Sequence, residues 1–487
     1  MILNKNLYTD YPDHPIRVVQ FGAGNFMRAF ADWMIDRMNK TTGFGAGVAV
    51  VQPLPTGPND KINAQDGLYT LYLQGLRDGA VVREHSVVSC IRCAVNPYTE
   101  YDKYMRLAEI DTLRFVLSNT TEAGIVFEPE DRLENKPPKG FPAKLTAFLY
   151  QRYRHFSGDP SKGLIMIPCE LIEKNGARLR ELVLQYALLW GLGEGFASWL
   201  RTANIFCSSL VDRIVPGYPG DDIEAYRTEL GYEDSLLVVG EPYYLWVIEG
   251  PEWIRNELPT DRAALNVVFT DDLTPYRTRK VRILNGAHTA LTPVAYLLGL
   301  NTVGDAVGDT TAGRFLREAI HEEIIPTLDM PGDELAVYAE TVLERFQNPF
   351  VRHQLTSIAL NSISKFKTRV LPSLLEYRRR TGKLPPRLVF SLAALLAFYR
   401  GNRGDSAIPL QDEPLVLDHF AAAWRGCDGS GPALRSLVTG TLGKKAFWDT
   451  DLTEVGGLAD AVFTYLASIE GQGMQEAVSQ LLAPNTQ

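Results

Sequence analysis

The sequence predicts an α/β protein, with a parallel-sheet domain over residues 1–272 followed by a mainly α-helical substrate domain over residues 273–487. Short apolar runs alternate with helical patterns through the first half: Val18 to Phe21, Val48 to Val51, Phe115 to Ser118, Gly163 to Pro168 and Ile205 to Val211. That alternation suits parallel strands joined by helical crossovers. From Thr274 onward the apolar period is almost wholly helical, through Phe315 to Ile325, Glu334 to Phe346, Leu355 to Leu375 and Leu384 to Tyr399. The boundary near Asp272 places the Lys280 segment at the start of the second domain.

The first strand leads into Gly22-Ala23-Gly24-Asn25-Phe26 and then an amphipathic helix to Trp33. Strand, glycine turn and helix form the opening of a Rossmann-like dinucleotide-binding domain. Gly22 permits the tight turn, and Gly24 lets backbone N–H groups at the helix start approach a pyrophosphate. The third glycine of G-x-G-x-x-G is replaced by Met27, so strand and helix must pack differently. The second strand, Gly47 to Gln52, ends in Gln52 where an acidic residue would hold the ribose 2′-hydroxyl. Gln52 can hydrogen-bond a ribose, and no Arg or Lys follows until Lys61, which favours NAD(H) over NADP(H).

A chain of 487 residues, 45% apolar and 22% charged, exceeds what one hydrophobic core organises. Loops are expected at Pro53 to Asp60, Glu134 to Pro142 and Pro216 to Asp222, and within the second domain at Asn402 to Pro414 and Cys427 to Pro432. Acidic residues outnumber basic ones by 58 to 49 and no basic run or helix-turn-helix is present, so nucleic acid is not an expected partner. A regulatory, NAD-sensing protein would also want such a module. The N-terminus lacks a signal-peptide core, and the run from Leu388 to Tyr399 is too short to span a bilayer; no membrane partner and a cytoplasmic location are expected. Five cysteines fit reduced thiols. Cys90 and Cys93 form a C-x2-C without a second pair, and His321-Glu322-Glu323 has Ile325 where a zinc helix needs His, so no metal is expected. Nothing in the sequence sets an oligomeric state.

Chemistry concentrates in Lys280-Val-Arg-Ile-Leu-Asn285-Gly-Ala-His288, an ammonium, a carboxamide and an imidazole in apolar sequence. Thr274-Pro275 reads as N-cap and first helical residue, with a kink or end expected at Pro293. At about 100° per residue Lys280, Asn285 and His288 point near roughly 0°, 140° and 80°, one broad face. Singly, each has a bland reading as a snorkelling lysine, a local amide bond or a satisfied core histidine. Three such groups on one face would each need a partner if buried, which points to a shared substrate. Hydride arriving at a keto carbon leaves negative charge on oxygen; Lys280 can supply the proton if burial brings its pKa toward neutrality, and Asn285 and His288 can donate to that oxygen.

Gly22-x-Gly24-x-Phe26-x-Arg28-Ala29, Thr120-Thr121-Glu122-Ala-Gly124, Val211-Asp212-Arg213-Ile214, Trp246-Val-Ile, Lys280-x4-Asn285-Gly-x-His288 and Asn348-Pro349 together resemble the motifs of the mannitol dehydrogenase family, nearly end to end. The resemblance implies zinc-independent, NAD-linked oxidation and reduction of polyols and uronates. Its nearest form is reduction of a ketouronate to an aldonate, D-tagaturonate to D-altronate, in hexuronate catabolism; fructuronate and mannitol are the alternatives. It implies catalytic roles for Lys280, Asn285 and His288. It also brings Asp212 toward the cofactor and Arg213 toward the substrate, although the two read equally as a structural ion pair. Glu122 and Gly124 read either as a cap near the nicotinamide or as simple helix capping. Mannitol-oxidising relatives carry Ser-Cys-Asp-Asn where this chain has Pro168-Cys169-Glu170-Leu171, so a second oxyanion amide is missing. Asn175 substitutes, another donor serves, or Glu170 makes a different interaction. A uronate also requires a cation for its carboxylate. Lys365, Lys367 and Arg369 are the candidates, against a solvated basic face, and Ser357 and Asn361 depart from the family's Arg and Asp.

Overall fold

The computed structural model describes residues 1–121 and 123–483; the capping role considered for Glu122 lies outside them. The chain divides into two compact units, Met1–Leu273 and Thr274–Gln487, a boundary one residue beyond the expected 272/273.

In the first unit the strands run β1 (Ile16–Phe21), β2 (Gly47–Val51), β3 (Tyr69–Arg77), β4 (Ala80–Val88), β5 (Ile91–Val95), β6 (Phe115–Ser118), β7 (Ile165–Pro168), β8 (Ile205–Phe206), β9 (Ser208–Asp212), β10 (Val238–Gly240), β11 (Leu245–Glu249) and β12 (Val267–Thr270). Six form a parallel sheet in the order β5-β2-β1-β6-β7-β8. Its strands are short and apolar because both faces are covered. Val18, Val48 and Val50 enter one hydrophobic cluster, while Val19, Phe21, Ala49 and Val51 enter the other. The crossovers leave the sheet in opposite directions from β1 and β6. The carboxyl ends of these strands therefore flank the crevice where doubly wound sheets bind ligands.

Two three-stranded sheets were not legible in the sequence beyond the Ile205 to Val211 run, which divides into β8 and β9. β3 and β4 form a long antiparallel hairpin joined by β10, and β9, β11 and β12 make a second three-stranded sheet. β3 is buried over its first seven residues whereas β4 is exposed over most of its length, so the apolar alternation of β4 is weak.

Among its described residues the second unit has helices and one hairpin of two-residue strands, Asn402–Arg403 with Ser406–Ala407, inside the expected 402–414 loop. The long helix expected from Leu355 to Leu375 is broken into Leu355–Ile358, Ser362–Arg369 and Leu371–Thr381. Asn361 adopts φ 52°, which no helix continues through, and Pro372 opens the last segment. The apolar helix Pro386–Phe398 packs against Gly286–Leu297, and both are buried along almost their whole length. That burial explains why Pro293 does not end its helix, which continues to Leu297: packing on all sides holds the helix across the lost backbone bond. Among the described residues no helix is long and apolar enough to cross a membrane.

Candidate active site

The glycine turn after β1 lies where the strand order reverses. Gly22 has φ 121°, and a Cβ there would stand 2.7 Å from the carbonyl oxygen of Asn119, the residue after β6. Only glycine fits. A Cβ on Gly24 would meet nothing within 4 Å, so this backbone is open to a ligand. The helix then runs without a break from Asn25 to Thr42, with a π turn over Arg28–Asp32. Ala23, Gly24, Asn25, Arg28 and Lys61 line a cleft of about 470 Å³. An open helix start beside a glycine turn fits the pyrophosphate of a dinucleotide. Phe26 stacks on Phe30 at 5.0 Å and joins the core rather than the cleft. Gln52 is buried, and its amide donates to the Leu54 carbonyl at 2.8 Å. Lys61, distant along the chain from the turn, comes to the same cleft as Gly24.

Beneath the turn is a buried polar pair that sequence reasoning missed. Gln20 donates from its amide to the Gly22 carbonyl at 3.0 Å and to Asp32 Oδ2 at 3.1 Å. Burial pushes the Asp32 carboxyl up to about 7, against the Gln20 hydrogen bond and the nearby Arg28. The available signal was a polar residue next to the end of a strand whose last four residues are buried.

Three of the expected site residues have structural duties. Asn175 is fully buried and its amide nitrogen lies 3.0 Å from the carbonyls of Pro168, Glu170 and Ser209, while its oxygen accepts from Gly176 and Ser209. Its two hydrogens are thus committed to backbone, and it has none for a substrate oxygen. Glu170 accepts from the Thr120 backbone at 2.9 Å and from the Thr120 and Ser118 hydroxyls at 3.0 Å. It shapes the loop after β6. Arg213 donates to the carbonyls of Ala29, Pro242 and Tyr243, and its guanidinium lies 4.4 Å from the Trp33 ring. Burial pushes it down to about 9. It ties the first helix to the loop before β11. Asp212, beside it at the end of β9, is buried and pairs in register with Leu245.

In the second unit, Lys280 opens a π turn that ends at Asn285 and passes into the α-helix carrying His288. In a π turn hydrogen bonds close from i to i+5. Asn285 therefore sits nearly one turn above Lys280, rather than 140° around the helix as a regular α-helix would place it. The π turn thus narrows the face shared by Lys280, Asn285 and His288. Lys280 and Asn285 are half-buried and His288 is buried.

The His288 ring stacks on Phe346 with centroids 3.9 Å apart and planes at 17°. The His353 ring meets it edge-on at 5.3 Å and 85°. His288 Nε2 is buried with no hydrogen-bond partner among the described residues. Burial, and then His353, Arg345, Arg369 and Lys365, hold it well below the ordinary imidazole range. It is a neutral imidazole at neutral pH.

The three candidate cations of the helix Ser362–Arg369 separate clearly. Lys367 pairs with Asp449 at 3.1 Å on the surface. Lys365 donates to the Ile358 carbonyl at 2.8 Å, and burial and then Arg369 lower its pKa against the opposing pull of Asp412. Arg369 is half-buried, and burial alone lowers its pKa. Phe346 and His353, which flank Asn348-Pro349, carried no chemical signature in the sequence that tied them to His288.

Comparison with known proteins agrees with this architecture. Residues 16–262 match the family model described as the mannitol dehydrogenase Rossmann domain, and residues 272–470 match the mannitol dehydrogenase C-terminal domain. The chain is 54% identical to the altronate oxidoreductase of Bacillus subtilis (strain 168) over 478 residues, 98% of each chain. It is 49% identical to that of Yersinia pestis over 473 residues, 96% of this chain and 98% of the other. Among solved structures, D-sorbitol dehydrogenase in substrate-free form superposes with TM-score 0.81 at 23% identity, over 98% of this chain and 100% of that one. Pseudomonas fluorescens mannitol 2-dehydrogenase, in a ternary complex with NAD and D-mannitol, gives 0.71 at 23% identity over 99% of both chains. With both of its domains matched in order, the chain belongs to the mannitol dehydrogenase family.

Proposed function

We propose that this protein catalyses the reversible reduction of D-tagaturonate to D-altronate with NADH. The charged side chains that hold His288 neutral most strongly are cations: Arg345, Arg369 and Lys365. That positive field beside a neutral imidazole is the observation that carries the reading, since a ketouronate brings a carboxylate to compensate it and a neutral ketohexose does not. The near-full-length likeness to altronate oxidoreductases supports it.

NADH, which the Gly22–Asn25 turn would hold, would supply hydride to the keto carbon. Lys280 delivers the proton to the carbonyl oxygen, and in the oxidative direction removes it from the hydroxyl. The Asn285 amide donates to the same oxygen as charge develops; a preorganised donor of this kind contributes about 3–4 kcal/mol in comparable sites. His288, being neutral, offers an N–H rather than a charge, and its stack on Phe346 fixes the ring plane.

The test is a spectrophotometric assay across D-tagaturonate, D-fructuronate and D-fructose with both cofactors. D-tagaturonate with NADH is expected to give the highest kcat/KM. NADH is favoured because Gln52 closes the end of β2 without a positive charge. Equal or better performance with NADPH overturns the cofactor choice and identifies Lys61 as the counter-charge. Better turnover of D-fructose than of either uronate overturns the substrate reading.

A further inference from the structure

His353 stands out because its backbone is fixed while its ring nitrogens have no hydrogen-bond partner among the described residues. Its carbonyl accepts from Val303 N at 2.9 Å, Gln354 bridges Thr302, and Leu355 N donates to the Asn301 carbonyl at 2.9 Å. These bonds pin the segment against residues 301–303. The ring is thereby held edge-on to His288, and among the described residues neither of its nitrogens has a hydrogen-bond partner.

From the helix Ser362–Arg369, Arg369 bears on His288, and Lys365 of the same helix bears on both His288 and His353. A Cβ on Gly286 would lie 3.0 Å from the Arg369 carbonyl oxygen, so the end of that helix rests on the turn just before His288. Among the described residues the Arg369 guanidinium has neither an ion-pair nor a hydrogen-bond partner. Asp412, the acid that bears on Lys365, is engaged by the Tyr399 hydroxyl and by the Ile363 backbone N–H at 3.3 Å. Phe346 covers one face of His288. A ligand reaching the unpartnered Nε2 of His288 therefore meets idle donors of His353 and Arg369, with the half-buried cation Lys365 beside them. The buried Nε2 of His288, flanked by half-buried donors of His353 and Arg369 that no described protein acceptor engages, leaves room for a ligand, and a carboxylate supplies both acceptors and charge.

We propose that His353 and Arg369 form the subsite that receives the substrate's carboxylate, making His353 a specificity-determining residue for uronates over neutral ketohexoses. This rests on the ketouronate reading above. His353 gives an N–H to one carboxylate oxygen and Arg369 holds the other, while the keto end is left to Lys280, Asn285 and His288.

The experiment compares kcat/KM for D-tagaturonate and D-tagatose, which carries a hydroxymethyl group in place of the carboxylate, in wild type and in His353→Ala, His353→Gln and His353→Asp. The uronate-to-ketohexose ratio is expected to fall at least about tenfold in His353→Ala. It should recover partly in His353→Gln, which keeps an N–H donor, and fall furthest in His353→Asp, which sets like charge against the carboxylate. As a readout independent of variant folding, the His353 imidazole signal in histidine-labelled wild-type protein should shift on adding D-altronate and stay in place on adding the neutral polyol D-altritol. An unchanged ratio in folded variants, or equal shifts with both ligands, overturns the assignment. The two readings fail differently. A wild type that prefers D-tagatose defeats the ketouronate function, whereas a wild type that prefers the uronate, with variants retaining that preference, defeats only the role of His353.

Discussion

His288 lies face to face with Phe346, ring centroids 3.9 Å apart, in the second unit. The stack sets the plane of an imidazole whose Nε2 has no described partner. Phe346→Leu keeps most of the apolar volume but removes the aromatic face. A loss of about 1 kcal/mol in stability is expected, together with a several-fold fall in kcat as the imidazole loses its orientation. Thermal unfolding and steady-state kinetics check the two separately; an unchanged kcat with a lowered Tm would show that His288 needs no such support.

Lys280→Ala should lower kcat at neutral pH by at least about a hundredfold, the usual contribution of a positioned proton donor. NADH affinity, measured by fluorescence titration, should be nearly unchanged. Turnover close to wild type in a folded variant returns Lys280 to a snorkelling role.

Removing the Arg369 guanidinium should cost D-tagaturonate on the order of 1.5–3 kcal/mol, seen mainly in KM if the contact is equally strong in ground and transition states. Lys367→Ala should cost well under about 1 kcal/mol, because its partner Asp449 is an exposed surface acid. Parallel kinetics on D-tagaturonate and D-fructose decide the matter. Equal losses on both substrates for Arg369→Ala would make it a support of the fold.

Asp32 should make stability pH-dependent. Its folded pKa of about 7 lies above the ordinary carboxyl value of 3.8. The proton is thus bound more tightly in the folded state, and the stabilisation it brings is complete below about pH 4 and lost as pH rises through about 7. The ceiling on that contribution is on the order of 4 kcal/mol. Asp32→Asn, which can still accept from Gln20, should raise Tm relative to wild type at pH 8 and leave it little changed at pH 4. A Tm difference that is the same at both values would show that Asp32 does not titrate in this range.

Much of the nucleotide half was legible along the chain because its signals are local. The Val18–Phe21 run, Gly22 and the following helix sit within a few residues of one another, and the structure places Gly22 against Asn119 where no side chain fits. The β3–β4 hairpin escaped notice because β4 faces solvent over most of its length and its pairing partner, not its own pattern, makes it a strand.

The sequence by itself determined which groups could do chemistry: it put Lys280, Asn285 and His288 together and set three cations downstream. Tertiary structure alone decided how they are used. Hydrogen bonds of i to i+5 turn the Lys280–Asn285 segment, a regular helix by its residue pattern, into a π turn that lifts Asn285 toward Lys280. Long-range contacts commit Asn175 and Arg213 to backbone carbonyls, draw Lys367 to Asp449, and bring Phe346 onto the face of His288 and His353 edge-on to it. Residue type and spacing limit what a side chain can donate or accept. Whether it has anything left to give a substrate depends on the partners that folding sets beside it, and those partners are distant in sequence.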